Sequence, residues 1–335
     1  MTNTCMMTID IGGTKIAYGL LKLTKTEAIA DCLYQDFIPT QKGLPNLLDS
    51  IKSIHATLLQ KAKDQSYQLA PYVLVGSAGN FDPNEETVVL PGTAENLGSF
   101  KGEFDGVNLK TVCEEALDNK YQFKIINDGL TQLAGGVLLC AQTYGNAFNV
   151  VGQKVAYVGP GTGLGGGFAT VKENATFDFF TDGHIFDMAI NDSVGAQARA
   201  EDLLSGHAFF KTTELTAQYV NHRHAYLTKF KGYVQTLGGY LGQVIEAIHT
   251  GNITKINNPN WSQSDINKVK GIQHFLIGGS LGTKGELATI LIKEAKAYLK
   301  QRKLSSLKLW QLPSSESAAL MGAKPFIDDW LFNEK

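Results

Sequence analysis

The apolar positions fall into short strand-like runs punctuated by glycine and into a few long helical stripes. Met6 to Ile11 reads as a strand that ends in a tight turn at Gly12-Gly13, with Lys15 to Leu21 and Ala28 to Ile38 as the next two strands. Strands joined by short turns predict an antiparallel start. Leu47, Ile51, Ile54 and Leu58 recur at helical spacing and predict a helix over Leu44 to Ala62. Val73 to Val75 and Val88-Val89-Leu90 read as short strands, the latter stopped by Pro91-Gly92. A helix over Leu109 to Leu117, a strand over Phe123 to Ile126 and a helix over Leu130 to Leu139 follow. The pattern then restarts: Val155 to Val158, a glycine-rich stretch Gly159 to Gly167, and a strand over Phe168 to Val171. Tyr226 to Ile248 carries the clearest helical periodicity, through Phe230, Tyr233, Leu237, Leu241, Val244 and Ile248. Phe275 to Ile277 and Leu307 to Trp310 read as strands, Leu287 to Leu299 and Ala318 to Trp330 as helices.

Strand, glycine turn and strand thus occur twice, near Asp10 and near Gly161. This weak repeat at domain scale predicts two related α/β domains with ligand between them. The expected boundaries are a small domain over 1–137 plus 314–335 and a large one over 138–313. The length of 335 residues is ample for two domains, with 43% hydrophobic and 19% charged residues. A net charge of −2 points to neither a nucleic-acid nor a membrane-surface partner. Cys5, Cys32, Cys113 and Cys140 form no CxxC pair and are expected to be reduced thiols of a cytoplasmic protein. No signal peptide or membrane-spanning run is expected.

Two glycine-rich turns offer candidate phosphate sites. In Asp10-Ile11-Gly12-Gly13-Thr14-Lys15, the backbone amides, the Thr14 hydroxyl and the Lys15 ammonium are potential anion donors, and Asp10 could hold Mg²⁺ through water. The same residues could equally be a plain glycine hairpin with a surface lysine. Gly159 to Gly167 is neither a Walker A loop, lacking GK[ST], nor a dinucleotide fingerprint, since strands flank it on both sides. Asp128, at a strand end, suits a general base, and it equally suits a helix N-cap.

Together with Ile126-Asn127-Asp128, Gly159-x-Gly161-Thr162-Gly163-Leu164-Gly165, Gly183-His184, Ala200-Glu201-x-Leu203-Leu204-Ser205-Gly206, Ile277-Gly278-Gly279 and Ala318-Ala319-Leu320-Met321-Gly322-Ala323, these stretches stand in one order over nearly the whole chain. In this the sequence resembles the bacterial glucokinases and the related ROK sugar kinases, of the hexokinase–actin–chaperone ATPase superfamily. The resemblance implies a two-domain actin-like ATPase (ribonuclease H-like) α/β fold with a cleft between domains. It implies ATP- and Mg²⁺-dependent phosphorylation of a hexose, with glucose to glucose 6-phosphate as the expected reaction. N-acetylglucosamine, N-acetylmannosamine, mannose and fructose are alternative substrates, and a weakly active sugar-binding regulator is an alternative role. A homodimer is also implied.

By the same resemblance, Gly12, Gly13, Thr14 and Lys15 form the first ATP-phosphate loop and Gly161, Thr162 and Gly163 the second. Gly278 and Gly279 lie against adenosine, and Asp10 serves Mg²⁺. Asn96, Asn127, Asp128, Asp182, His184 and Glu201 bind the sugar, with Asp128 as the catalytic base. Two positions depart from the family pattern. Thr181 stands where a glutamate is usual, which is why Asp182 is a candidate in its place, and Gly129 stands where glucokinases usually carry an aromatic residue. The cysteine-rich zinc motif of many ROK proteins is absent, so no structural zinc is expected. Regulators of the family carry an added helix-turn-helix domain, and a first strand beginning at Met6 argues against one.

Overall fold

The computed structural model describes residues 3–23, 31–82, 85, 87–180, 183–283 and 285–328. In chain order the elements begin with β1 (Thr4–Ile11), β2 (Lys15–Lys22), β3 (Cys32–Pro39), α1 (Leu44–Asp64), β4 (Gln68–Ser77), α2 (Leu109–Ala116), β5 (Gln122–Asn127) and α3 (Asp128–Tyr144). Next come β6 (Lys154–Pro160), β7 (Leu164–Val171), β8 (Phe177–Phe179), β9 (Ala189–Asn191), β10 (Gln197–Arg199), α4 (Ala200–Leu203), α5 (Gly206–Thr213), α6 (Ala217–Asn221) and α7 (His224–Thr250). The chain finishes with α8 (Gln263–Val269), β11 (His274–Ile277), α9 (Gly279–Gly282), α10 (Glu286–Gln301), β12 (Lys308–Gln311), α11 (Ser315–Met321) and α12 (Ala323–Asp328).

Two compact units result, one of residues 1–135 and 316–335, the other of residues 136–315. The chain leaves the first within α3 and returns to it at the start of α11.

The first unit is built on a five-stranded sheet of order β3-β2-β1-β4-β5. β1, β2 and β3 pair antiparallel, while β4 joins β1, and β5 joins β4, in parallel. Because successive strand residues face opposite sides, β1 serves two cores. Cys5, Met7, Ile9 and Ile11 pack with Leu47, Ile51, Ile54 and Leu58 of α1. Met6 faces the other way, with Leu21, Leu74 and the Ala323 and Ile327 side chains of α12. α1 starts with a proline in its first turn, and the amide of Leu44 finds its acceptor in Glu103 Oε1 at 2.8 Å.

The second unit repeats the plan. Its sheet runs β12-β11-β6-β7-β8, with β6, β7 and β8 antiparallel and β11 and β12 added in parallel. α7 and α10 pack on it through Val234, Leu237, Leu241, Val244, Leu291 and Ala295, all fully buried.

Two expectations are corrected. Val88-Val89-Leu90 is not a continuous strand. Its backbone is bonded on both sides, by the Asp82 amide on Val88 O at 2.9 Å and by the Val89 amide to Val107 O at 3.0 Å. Among the described residues these contacts are isolated bridges, Val88 to Asn108 and Val89 to Phe81, and build no ladder. The single helix expected over Ala318 to Trp330 is two helices broken at Gly322, and its end lies outside the described residues. Gly322 presses so closely on the Thr131 carbonyl of α3 that a Cβ there would lie 1.8 Å away.

Candidate functional site

In the first unit the β1–β2 turn holds Gly12, Gly13 and Thr14. Its carbonyls are drawn to one side. Thr40 Oγ1 donates to Gly12 O at 2.6 Å, Lys42 Nζ to Gly13 O at 2.7 Å, and the Thr40 amide to Thr14 O at 3.0 Å. Drawing acceptors away is what a backbone anion cradle requires. The Gly12 amide is spent within the turn, on Lys15 O at 3.0 Å, so any anion would rely on the donors beyond it. The Lys15 ammonium is ion-paired with Glu316 of α11 and lies 5.6 Å from the centre of the Phe37 ring. Asn96 is brought to this turn: Lys42 also donates to its carbonyl, and its amide lies where a Cβ on Gly13 would meet it at 2.8 Å.

Asp10 is the penultimate residue of β1, on the face opposite α1. Its register partner on β4 is Gly76. A Cβ at Gly76 would come within 2.8 Å of Thr131 Oγ1 and 3.2 Å of Asp10 Oδ1, so the carboxylate occupies room that glycine leaves. Asp10 Oδ1 is buried with no hydrogen-bond partner. Burial first, then the Asp128 charge and to a lesser degree Glu316, push its carboxyl well above the usual range, against the opposing pull of Lys15. Asp128 is half-buried at the head of α3, its Oδ1 accepting from the Gly129 amide at 2.9 Å. Asn127 uses both ends of its amide: Nδ2 donates to Gly79 O at 2.7 Å and Oδ1 accepts from the Gly129 amide at 3.0 Å.

Among the described residues no group of three or more His, Cys, Asp or Glu is placed to hold a metal ion. A carboxylate with one buried, unpartnered oxygen beside a glycine turn nevertheless fits Mg²⁺, which keeps several of its waters.

In the second unit Gly161, Thr162 and Gly163 form the β6–β7 turn. Its carbonyls are also drawn off, Gly161 O by the Gly206 amide at 2.6 Å and Thr162 O by the His207 amide at 3.2 Å. Gly279 lies against it: at φ +68°, a Cβ on Gly279 would strike Pro160 at 2.3 Å and Gly161 N at 2.5 Å. The Gly278 amide donates to Val158 O at 3.0 Å and the Gly279 amide to Ser315 Oγ at 2.9 Å. His184 is edge-on to Phe186 at 5.1 Å, and the neighbouring Gly183 touches β7 at Gly166. Glu201 Oε2 accepts from the Leu164 amide at 2.8 Å, and Oε1 from Arg199 at 3.2 Å. Asp182, with Thr181, lies outside the described residues.

Each unit therefore brings its own candidates together: Asp10, Gly12 to Lys15, Asn96, Asn127 and Asp128 in the first, and Gly161 to Gly163, His184, Glu201, Gly278 and Gly279 in the second. Glu316, Gly76, Lys42 and Arg199 escaped the sequence reading. Of these, only Arg199 carried a local signal, two positions before Glu201.

Two units, each with three antiparallel strands extended by two parallel ones, define the actin-like ATPase class of fold. Among solved structures the chain is similar to those of the ROK family. A ROK glucokinase from Streptomyces griseus, solved with glucose and AMPPNP, is 18% identical with a TM-score of 0.62, over 95% of this chain and 97% of that one. A ROK hexokinase from Thermus thermophilus is 16% identical with a TM-score of 0.58, over 96% and 97%. A ROK family transcriptional regulator, homologous to the Escherichia coli MLC protein, is 14% identical with a TM-score of 0.62, over 97% of this chain and 79% of that one. No protein-family model matches the sequence, and neither does any curated protein. The fold is that of the ROK sugar kinases.

Proposed function

We propose that this chain is a ROK-type hexose kinase, transferring the γ-phosphoryl group of ATP to a sugar hydroxyl, with glucose as the expected acceptor. The observation that carries it is the pairing in one unit of Asp10, whose Oδ1 is buried without a hydrogen-bond partner, with Asp128, beside a glycine turn whose carbonyls are held away. In this function Asp128 orients the sugar hydroxyl and takes its proton as the new phosphate ester bond forms and the bond to the leaving ADP oxygen breaks. Lys15 and the amides after Gly12 bind phosphate oxygens. In the second unit, the turn at Gly161 to Gly163 binds phosphate and Gly278-Gly279 lies along the nucleoside. Mg²⁺, when bound, neutralises phosphate charge, and Asp10 would hold it through water. Asn96, His184 and Glu201 are assigned to sugar hydroxyls, as are Asn127 and Asp182.

The same fold serves a regulator as well as kinases, so turnover is the deciding measurement. A coupled assay of ADP release with glucose, mannose, fructose, N-acetylglucosamine and N-acetylmannosamine should show sugar-dependent ATP consumption for at least one. Sugar binding with no turnover on any of them would replace the kinase by a sensor.

A further inference from the structure

Beyond one internal bond, from the Gly161 amide to Gly163 O at 2.9 Å, the second glycine turn is held from outside. Two of its carbonyls are bonded by amides of α5, and the amide that closes its far side, Leu164 N–H, donates to a side chain, Glu201 Oε2 at 2.8 Å. The fit is close enough that a Cβ on Gly163 would lie 2.4 Å from that oxygen. Glu201 itself is held at both ends. Its backbone is pinned by the Glu201 amide on Phe186 O at 3.0 Å and the Ala200 amide on Met188 O at 2.8 Å. Its other carboxylate oxygen accepts from Arg199 Nη2 at 3.2 Å.

Arg199 is partly buried, 29% exposed, at the end of the β9–β10 hairpin. Its Nε lies 3.3 Å from Asp202 Oδ2, an ion pair whose geometry makes no hydrogen bond. The fully buried Asp187 is a third anion in its field. Burial pushes the Asp187 carboxyl up, but hydrogen bonds from Asn258 and Asn257, helped by the Arg199 charge, outweigh burial and hold it below the usual range. Lying between the carboxylates of Glu201 and Asp202, the planar guanidinium presents one edge to Glu201.

We infer that Arg199 is a positioning residue for the phosphate turn, acting through Glu201: it fixes the carboxylate that holds Leu164 N–H and so the shape of the turn over Gly161 to Gly163. The consequence for nucleotide binding rests on the kinase function proposed above; the consequence for the turn itself does not.

Amide hydrogen exchange on the full chain, together with titration of AMPPNP and Mg²⁺, tests this. In Arg199→Met the Leu164 amide should exchange about tenfold faster or more, the low end of what one charge-assisted hydrogen bond supports. Protection over 155–158 and 167–170 should hold. AMPPNP should bind about tenfold more weakly, and Arg199→Lys, which keeps the charge, should recover part of both losses. Should Arg199→Met not fold, Glu201→Gln keeps the size and an acceptor but removes the charge that Arg199 holds, and it should show the same faster exchange confined to the turn. Unchanged Leu164 exchange in the folded variant would overturn the inference. So would protection lost evenly across β6 and β7, which marks a role in the fold alone. A wild-type chain that binds no AMPPNP would defeat the kinase function, while the exchange data would still decide the role of Arg199.

Discussion

Asp10 and Asp128 repel each other as anions, and Asp10 has in addition lost its hydration on one oxygen. The sign of the pH effect follows from the raised carboxyl. Below an unfolded value of about 3.9 both states are protonated and Asp10 costs nothing. As pH rises further the unfolded chain ionises first, so folded stability falls until the raised folded value is passed and is constant beyond it. Asp10→Asn, which cannot ionise, should therefore melt higher than the ligand-free wild type at neutral pH. The gap should narrow toward acid and again on adding ATP with Mg²⁺. Thermal melts at a series of pH values measure it, and an Asn variant that melts no higher at neutral pH would contradict the burial cost. Asp128→Asn should keep the fold and sugar affinity while kcat drops roughly 10²–10⁴-fold, the range for loss of a general base. Near-full turnover in steady-state kinetics would remove Asp128 from that role.

The long helices were legible because each has an apolar face with an unbroken period, as in Leu47, Ile51, Ile54 and Leu58 of α1. The central strands β1 and β2 were legible as short apolar runs, buried on both faces, that meet at the Gly12-Gly13 turn. What escaped was set by distant neighbours. Val88-Val89-Leu90 resembles a strand, yet its neighbours on either side are loop segments that bond it only at isolated bridges. Gly322 breaks a continuous helical stripe where α11 meets α3. Glycine at position 76 is invisible as a site residue in sequence, since its contribution is the volume it leaves to Asp10. Gly76→Ala should therefore displace the carboxylate or Thr131, costing about 1–3 kcal/mol as an overpacked core position does. If the proposed function is right, activity should fall more than stability. Chemical denaturation alongside turnover separates the two, and a variant with wild-type values of both would show that the carboxylate has room to spare.

On the scale of the whole molecule, the duplicated sheet plan was foreshadowed by two strand–turn–strand signals, near Asp10 and near Gly161. The approach of Gly278-Gly279 to the second turn was not, because more than a hundred residues separate them in the chain. Among the described residues no helix is long and apolar enough to cross a membrane. The second unit is continuous in sequence and its core lies entirely within residues 136–315. That fragment, expressed alone, should fold with cooperative thermal unfolding. The converse removal of residues 316–335 should expose Met6, Leu21 and Leu74. It should cost the first unit several kcal/mol, since fully burying one such side chain is worth about 1.5–3 kcal/mol. Binding of an apolar dye and loss of cooperative melting would report it, and a truncated chain that stays compact and dye-free would show that α11 and α12 are dispensable to the first unit.

The return of α12 to the first sheet also governs the order of events during synthesis. The strands of the first unit emerge early, but the part of one face that carries Met6, Leu21 and Leu74 stays bare until residues 323–328 are made, after the whole of the second unit. At roughly 5–20 residues per second, the ribosome leaves that face waiting for some ten seconds or more. The nascent chain therefore carries an uncovered β surface through most of its translation, a standing target for chaperones and for neighbouring chains on the same message.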